Sequence, residues 1–206
     1  MHFEFLVEEP SMEATLRTIL PRIVNRSISH SIHTFQGKQD LLTKLPKRLK
    51  GYKKWITQEY RIIILIDKDS DDCYILKRKL ENIATDANLT TKSSVRPGQD
   101  FQVLTRIVIF ELESWFLGDF SAIKKAYPKI SNKLQNNIKY SNPDVITNTW
   151  EELESILQRY QYYPGGMPKI EVAEKISKHL NISINRSPSF QIFYQGLQTC
   201  MNQDRT

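Results

Sequence analysis

Apolar positions along the chain alternate between short continuous runs and helical spacing, and that alternation predicts the elements. "HFEFLVE" (His2 to Glu8) reads as a short strand, and Pro10 with Ser11 suits the first turn of a helix running through "EATLRTIL", which Pro21 is expected to end or kink. "HSIHTFQ" (His30 to Gln36) reads as a second strand. Gly37 then opens a basic amphipathic segment with Leu41, Leu42, Leu45 and Leu49 at helical spacing. "RIIILID" (Arg61 to Asp67) is an unbroken run of β-branched and aliphatic residues, the pattern of a strand buried on both faces, and "CYILKRKLENIATDA" follows it as a helix. After a polar loop with Pro97 and Gly98, "RIVIF" (Arg106 to Phe110) predicts another buried strand leading into "ELESWFLGDFSAIKKAY". Strands alternating with helices argue for a βαβ architecture: a mainly parallel, Rossmann-like sheet flanked by helices, with right-handed crossovers. Beyond about Ser141 the pattern becomes helical, which predicts an α/β domain over 1–140 and a helical C-terminal extension over 141–206 packed on it.

Composition narrows the class. The chain has 206 residues, 40% of them hydrophobic, enough for one core with an appendage. Twenty-nine Lys and Arg against 23 Asp and Glu give a formal charge of +6, which favours a polyanionic partner such as nucleic acid. Two cysteines, Cys73 and Cys200, make no disulfide framework, and no apolar run is long enough for a signal peptide or a membrane span, so the expected location is cytoplasmic. Cys73 is expected to be a buried small residue, and Trp115 and Phe116 core or partner contacts.

Against the basic surplus, acid is gathered at strand ends. Glu8, Glu9 and Glu13 follow the first strand, Asp67, Asp69, Asp71 and Asp72 follow the third, and Glu111 and Glu113 follow the fourth. In extended chain Asp67 and Asp69 would project to one side, roughly 6 to 7 Å apart. Glu9 and Glu13, four residues apart, would share a helix face beside them. In open α/β sheets ligands bind at the carboxyl ends of the strands, which is where these groups fall. Close carboxylates repel unless a cation or protons neutralise them, and an all-oxygen set suits Mg²⁺ or Mn²⁺. Plainer readings stand beside this one: Glu13 favoured by the helix macrodipole, and Asp71 and Asp72 as N-terminal caps. A calcium loop is excluded, because Asp72 stands where that loop needs glycine and Arg78 where it needs glutamate.

The stretches "LVEEPSMEATL", "FQGKQDLL", "DKDSDDCYILKRKL", "RIVIFELESWFLGD" and "NRSPSF" resemble a bacterial family of Toprim-like proteins named as a domain of unknown function, related to the Toprim domains of OLD-type nucleases. That resemblance implies a Toprim-like fold and a metal-dependent nuclease, encoded beside an ABC- or AAA-type ATPase in settings that suggest anti-phage defence. It makes Glu8 or Glu9 the Toprim glutamate, Glu13 the helix carboxylate that joins it, and Asp67 with Asp69 the paired aspartates, with Glu111 and Glu113 matching acidic positions of the narrower family. The expected catalytic set is therefore Glu9, Glu13, Asp67 and Asp69. The expected metal ligands come from Glu8, Glu9, Glu13, Asp67, Asp69, Asp71, Glu111 and Glu113, around one or two ions.

Lys38, Lys47, Arg48, Lys50, Lys53 and Lys54, with Tyr52 and Trp55 interleaved, would hold a nucleic-acid backbone or form a solvated helix face. Lys38, Lys77 or Lys169 could face a phosphate, and Ser187 reads as a helix cap. Two alternatives belong to other classes: a non-catalytic Toprim-like subunit that binds the ATPase, and a metal-dependent phosphatase or phosphotransferase. An oligomer is compatible with all three.

Overall fold

The computed structural model describes residues 1–203. Four parallel strands form one sheet in the order β2-β1-β3-β4: β1 (His2–Val7), β2 (Ser29–Thr34), β3 (Tyr60–Asp67) and β4 (Val103–Val108). The α/β class and the parallel sheet flanked by helices are as the alternating pattern predicts. β1 ends at Val7 and β3 begins at Tyr60, each one residue from expectation, and the other two strands shift further. β2 starts and stops earlier than His30 to Gln36, and β4 takes in Val103 to Thr105 while leaving Ile109 and Phe110 outside. The hydrogen-bond register decides the latter, because Val103 pairs with Ile62 and the ladder closes at Asp67 with Val108.

The strand order fixes where a site can form. From β1 the chain goes to β2 on one side and then to β3 on the other, so the connections diverge between the carboxyl ends of β1 and β3. Glu8 leaves β1 at this crevice and Asp67 ends β3 there.

Period-two alternation sends the strands' side chains to two cores. Leu6, Ile62, Ile64, Ile66 and Val103 pack under α2 (Lys38–Lys53) and α3 (Cys73–Asp86). Phe3, Phe5, Val7, Ile63, Leu65, Leu104 and Val108 face α1 (Pro10–Ile23) and the later helices: α4 (Glu113–Leu117), α5 (Phe120–Ala126), α6 (Thr149–Arg159), α7 (Lys169–Ser177) and α8 (Pro188–Asn202). The helices beyond Ser141 thus share one core with the sheet. Trp115 anchors this side, its ring centroid 5.1 Å from that of Phe190 and 5.0 Å from that of Phe193, and its indole N–H donates to Ser189 Oγ at 3.1 Å. Burying an aromatic ring of this kind contributes about 3 to 5 kcal/mol, judged by what truncation to alanine costs.

Local expectations fare unevenly. α1 continues past Pro21 to Ile23, since a proline in a last turn removes only one backbone donor. Gly37 has φ +89°, a conformation that favours glycine, and its N–H donates to Glu8 O at 3.0 Å, so α2 starts beside the crevice. Cys73 is half-buried rather than buried, since it opens α3 at the sheet rim. Cys200 is buried in the core. Among the described residues no helix is long and apolar enough to cross a membrane.

Candidate functional site

The crevice between β1 and β3 is built around Asp67. Its side chain ends a strand of buried aliphatic residues and is itself only 5% exposed. Asp67 Oδ2 accepts a long hydrogen bond from the Leu112 backbone N–H at 3.4 Å, and Oδ1 is buried with no hydrogen-bond partner. An unsatisfied buried oxygen of this kind costs about 1 to 3 kcal/mol, more if it carries charge. Burial, then the negative charge of Glu8, Glu113, Glu9 and Asp69, raises the Asp67 carboxyl well above the usual range.

Two neighbours are perturbed in the same direction. Glu8 receives the Asp67 backbone N–H on Oε2 at 3.1 Å, yet burial pushes its carboxyl up to about 7, with Asp69 adding to the rise. Glu113 opens α4, is buried, and is likewise pushed up to about 7 by burial, with Lys169 opposing. Acidic groups from β1, β3 and α4 therefore sit close enough to feel one another's charge in a poorly hydrated crevice.

Two lysines close the centre. Lys38 Nζ lies 2.7 Å from Asp69 Oδ2 and 2.8 Å from Asp71 Oδ2, and donates to Lys68 O at 2.9 Å. Burial works against its charge, but the bonds to Asp69 and Asp71 outweigh that and raise its pKa. Lys169, at the start of α7, lies 3.7 Å from Glu9 Oε2 and 4.7 Å from the centroid of the Trp150 ring. Burial again opposes its charge, and Glu9 and Glu113 more than offset it.

The backbone at the rim is strained. Asp69 and Phe110 both adopt the left-handed region, at φ +49° and +59°, and Asp69 N–H donates to Phe110 O at 2.7 Å. Asp tolerates this conformation, whereas for Phe it costs on the order of 1 to 2 kcal/mol. Lys68 Nζ sits 4.5 Å from the centroid of the Phe110 ring beside it.

The expected site residues divide. Glu8, Glu9, Asp67, Asp69 and Glu113 gather at the crevice, but the geometry that extended chain implied for Asp67 and Asp69 is absent. The strand ends at Asp67 and the turn at Asp69 carries that carboxyl out to solvent and Lys38. Glu9 and Glu13 do not share a face either. Glu9 is the N-cap residue of α1 in extended conformation, accepts from Ser11 Oγ at 2.6 Å and faces Lys169. Glu13 turns to β2, where the Thr34 hydroxyl and then Arg17 hold its carboxyl below the usual range.

Other expected residues take structural roles. Glu111 accepts from Thr149 Oγ1 at 3.0 Å and Trp150 N–H at 2.8 Å, fixing the start of α6. Asp71 pairs with Lys38, while Asp72 caps α3 by accepting from Ile75 N–H at 2.9 Å. Ser187 caps α8 through Phe190 N–H at 3.2 Å. Lys77 turns inward to Thr105 and Glu81 and does not face the crevice. Lys38 also leaves the nucleic-acid set for the acidic loop, and Arg48 lies over the Tyr52 ring at 5.5 Å.

Sequence reasoning missed the Leu112 N–H and the Trp150 ring, which no local pattern marks. It also missed Glu4, a carboxyl inside an apolar strand, whose irregularity was the available sign.

The donor chemistry fits a hard cation: an orphaned buried carboxylate oxygen among oxygen ligands, with no thiol or imidazole beside it. Among the described residues, however, no three His, Cys, Asp or Glu side chains are so disposed that they could hold a metal ion as they stand. Glu8 and Asp67 would supply the inner ligands, with Asp69 joining only on release from Lys38.

Nothing matches the chain among curated proteins or among solved structures. A family model does, over residues 7–198, which takes in the crevice, both lysines and the helices that carry Glu113 and Lys169. Its description assigns no activity and makes no link to Toprim domains or OLD-type nucleases. On that match, the chain belongs to the family described as Domain of unknown function (DUF4276).

Proposed function

We propose that the crevice is a Mg²⁺- or Mn²⁺-dependent centre for hydrolysing phosphodiesters of DNA or RNA. The observation that carries the reading is the buried, unpartnered Asp67 Oδ1, surrounded by carboxyl groups that repel it, at the point where the strand connections diverge. A stable fold gains nothing from that arrangement, and a cation relieves it. Asp67 and Glu8 would hold the ion, which when bound supplies charge to polarise the phosphoryl group and acidify water.

The chain's own groups have separate tasks. Glu113, pushed up to about 7 and not among the inner ligands, is matched to exchanging a proton near neutral pH. Lys169, steadied over Trp150, presents a cation to an anionic substrate at the mouth. Lys38 holds the Asp69–Asp71 turn in place.

A second reading has one observation in its favour. Lys38 and Lys169 already offset part of the negative charge, as they would in a non-catalytic subunit whose carboxyl groups serve assembly. Calorimetry with Mn²⁺ and Mg²⁺ on the wild type, Asp67→Asn and Glu8→Gln separates the two. The catalytic reading expects binding with proton release at pH 7, lost in both variants, and cleavage of oligonucleotides that disappears with Asp67→Asn. Binding unchanged by either substitution would sink it.

A further inference from the structure

We propose that the outer face of α2, from Lys47 to Lys54, together with Trp55, is a docking surface for single-stranded nucleic acid. This deepens the phosphodiesterase reading and rests on it only for what happens after binding. α2 runs antiparallel to the strands, so its first turn lies at the acidic crevice and its last turn at the opposite sheet edge, about 24 Å away for 16 residues.

The apolar face of α2 is spent on the core. Leu41, Leu45 and Leu49 are fully buried. Helical spacing puts Lys47, Lys50 and Lys54 on the opposite side, with Lys53 at its flank. Among the described residues, none of these four has an acidic side chain within 4.0 Å, whereas Lys44 is paired with Asp40. Like charges three and four residues apart destabilise a helix unless something anionic lies over them.

Trp55 closes the row. It is 52% exposed, and its ring is held 5.4 Å from Tyr52 and edge-on 5.2 Å from Tyr60. Next to it opens a groove of about 450 Å³ lined by Lys47, Arg48, Gly51, Tyr52 and Trp55, and by His33 with the Glu4 carboxylate it pairs with, and nothing lies within 4 Å of the space above Gly51. A row of cations beside a fixed, exposed ring and an open slot matches a strand with unstacked bases: phosphates on the lysines, a base on Trp55. A duplex hides its base faces and offers Trp55 nothing to stack on. An anionic membrane fits less well, since the face has no apolar stripe to insert.

The test is fluorescence anisotropy of a short labelled oligothymidylate with the full chain in EDTA, so that no divalent ion takes part. Binding is expected to be tighter than to a duplex of equal length and to weaken about tenfold in Trp55→Ala while Trp55→Phe retains it. Replacing Lys47, Lys50 and Lys54 together by glutamine is expected to lower the log–log salt slope by about 2. Wild-type protein that binds the oligonucleotide in EDTA but cuts nothing once Mg²⁺ or Mn²⁺ is restored would fail the catalytic centre alone and leave the docking surface standing. Equal affinity for duplex, indifference to Trp55→Ala, or binding to phosphatidylserine vesicles without binding to the oligonucleotide would each overturn the surface. Trp55, Lys47, Lys50 and Lys54 are all exposed, and circular dichroism checks that the variants fold.

Discussion

Glu4 and Asp67 are both carboxyl side chains on central strands of one sheet, 6% and 5% exposed, and their surroundings could hardly differ more. Glu4 accepts from Tyr52 OH at 2.9 Å and lies 2.7 Å from His33 Nε2 on one oxygen and 3.1 Å from His2 Nε2 on the other, so both oxygens are occupied. Asp67 has one weak donor, one empty oxygen and four acidic groups around it. A buried polar group that is fully satisfied holds a fold together, whereas one left unsatisfied among like charges persists only where something outside the fold selects it. Glu4 ties β1 to β2 and α2, whereas Asp67 ties little, which is the imbalance the proposed ion would relieve.

The sharpest way to break the comparison is to remove each carboxylate. Glu4→Ala strips partners from Tyr52, His33 and His2 and is expected to cost about 3 kcal/mol, lowering Tm by roughly 6 to 12 °C in a thermal melt. Asp67→Asn, in metal-free buffer at pH 8, removes a repelled charge at constant shape and is expected to leave Tm unchanged or raise it by a few degrees. Equal losses in both variants would mean that Asp67 is a structural group like Glu4.

Acidity should sharpen the same contrast. The folded-state pKa values of Glu8 and Glu113 lie near 7, above the ordinary 4.5, so the folded state binds more protons than the unfolded one between those limits. Their contribution is fully favourable below about pH 4.5 and is lost as pH rises through about 7, on the order of 3 kcal/mol per group before coupling. Denaturant unfolding is expected to show stability falling across that window, less steeply in Glu113→Gln. Saturating Mn²⁺ should flatten the profile at its alkaline end. Stability that rises with pH there would contradict the assignment.

The smallest effect probes the turn between β3 and α3. Asp72→Ala removes the cap on Ile75 N–H and is expected to cost about 1 kcal/mol by denaturant titration, with metal binding retained. A loss of metal binding would make Asp72 part of the centre.

Much of the frame was legible in the chain because its causes are local. The "RIIILID" run could only be a strand buried on both faces, Leu41, Leu45 and Leu49 could only be the inner face of a helix, and Asp72 and Ser187 sit where helix caps must. The gathering of Glu8 and Asp67 followed from reading both as strand ends. What misled was extrapolating strand and helix geometry past their ends. Asp69 was expected to extend β3, yet it turns at φ +49°, and Glu13 was expected beside Glu9, yet Thr34 on a strand formed much later in the sequence claims it.

The α/β class, the helix faces and the acid at the strand ends follow from the order of residues alone, since each depends on residues within a few positions of one another. Which carboxylates are orphaned, which are neutralised and which are used as caps is fixed by long-range packing. Those outcomes depend on partners far away in the chain: Leu112 for Asp67, Lys38 for Asp69, Trp150 for Glu111, and Lys169 for Glu9. A carboxylate's solvation is a property of everything packed around it, and no spacing along the chain encodes that.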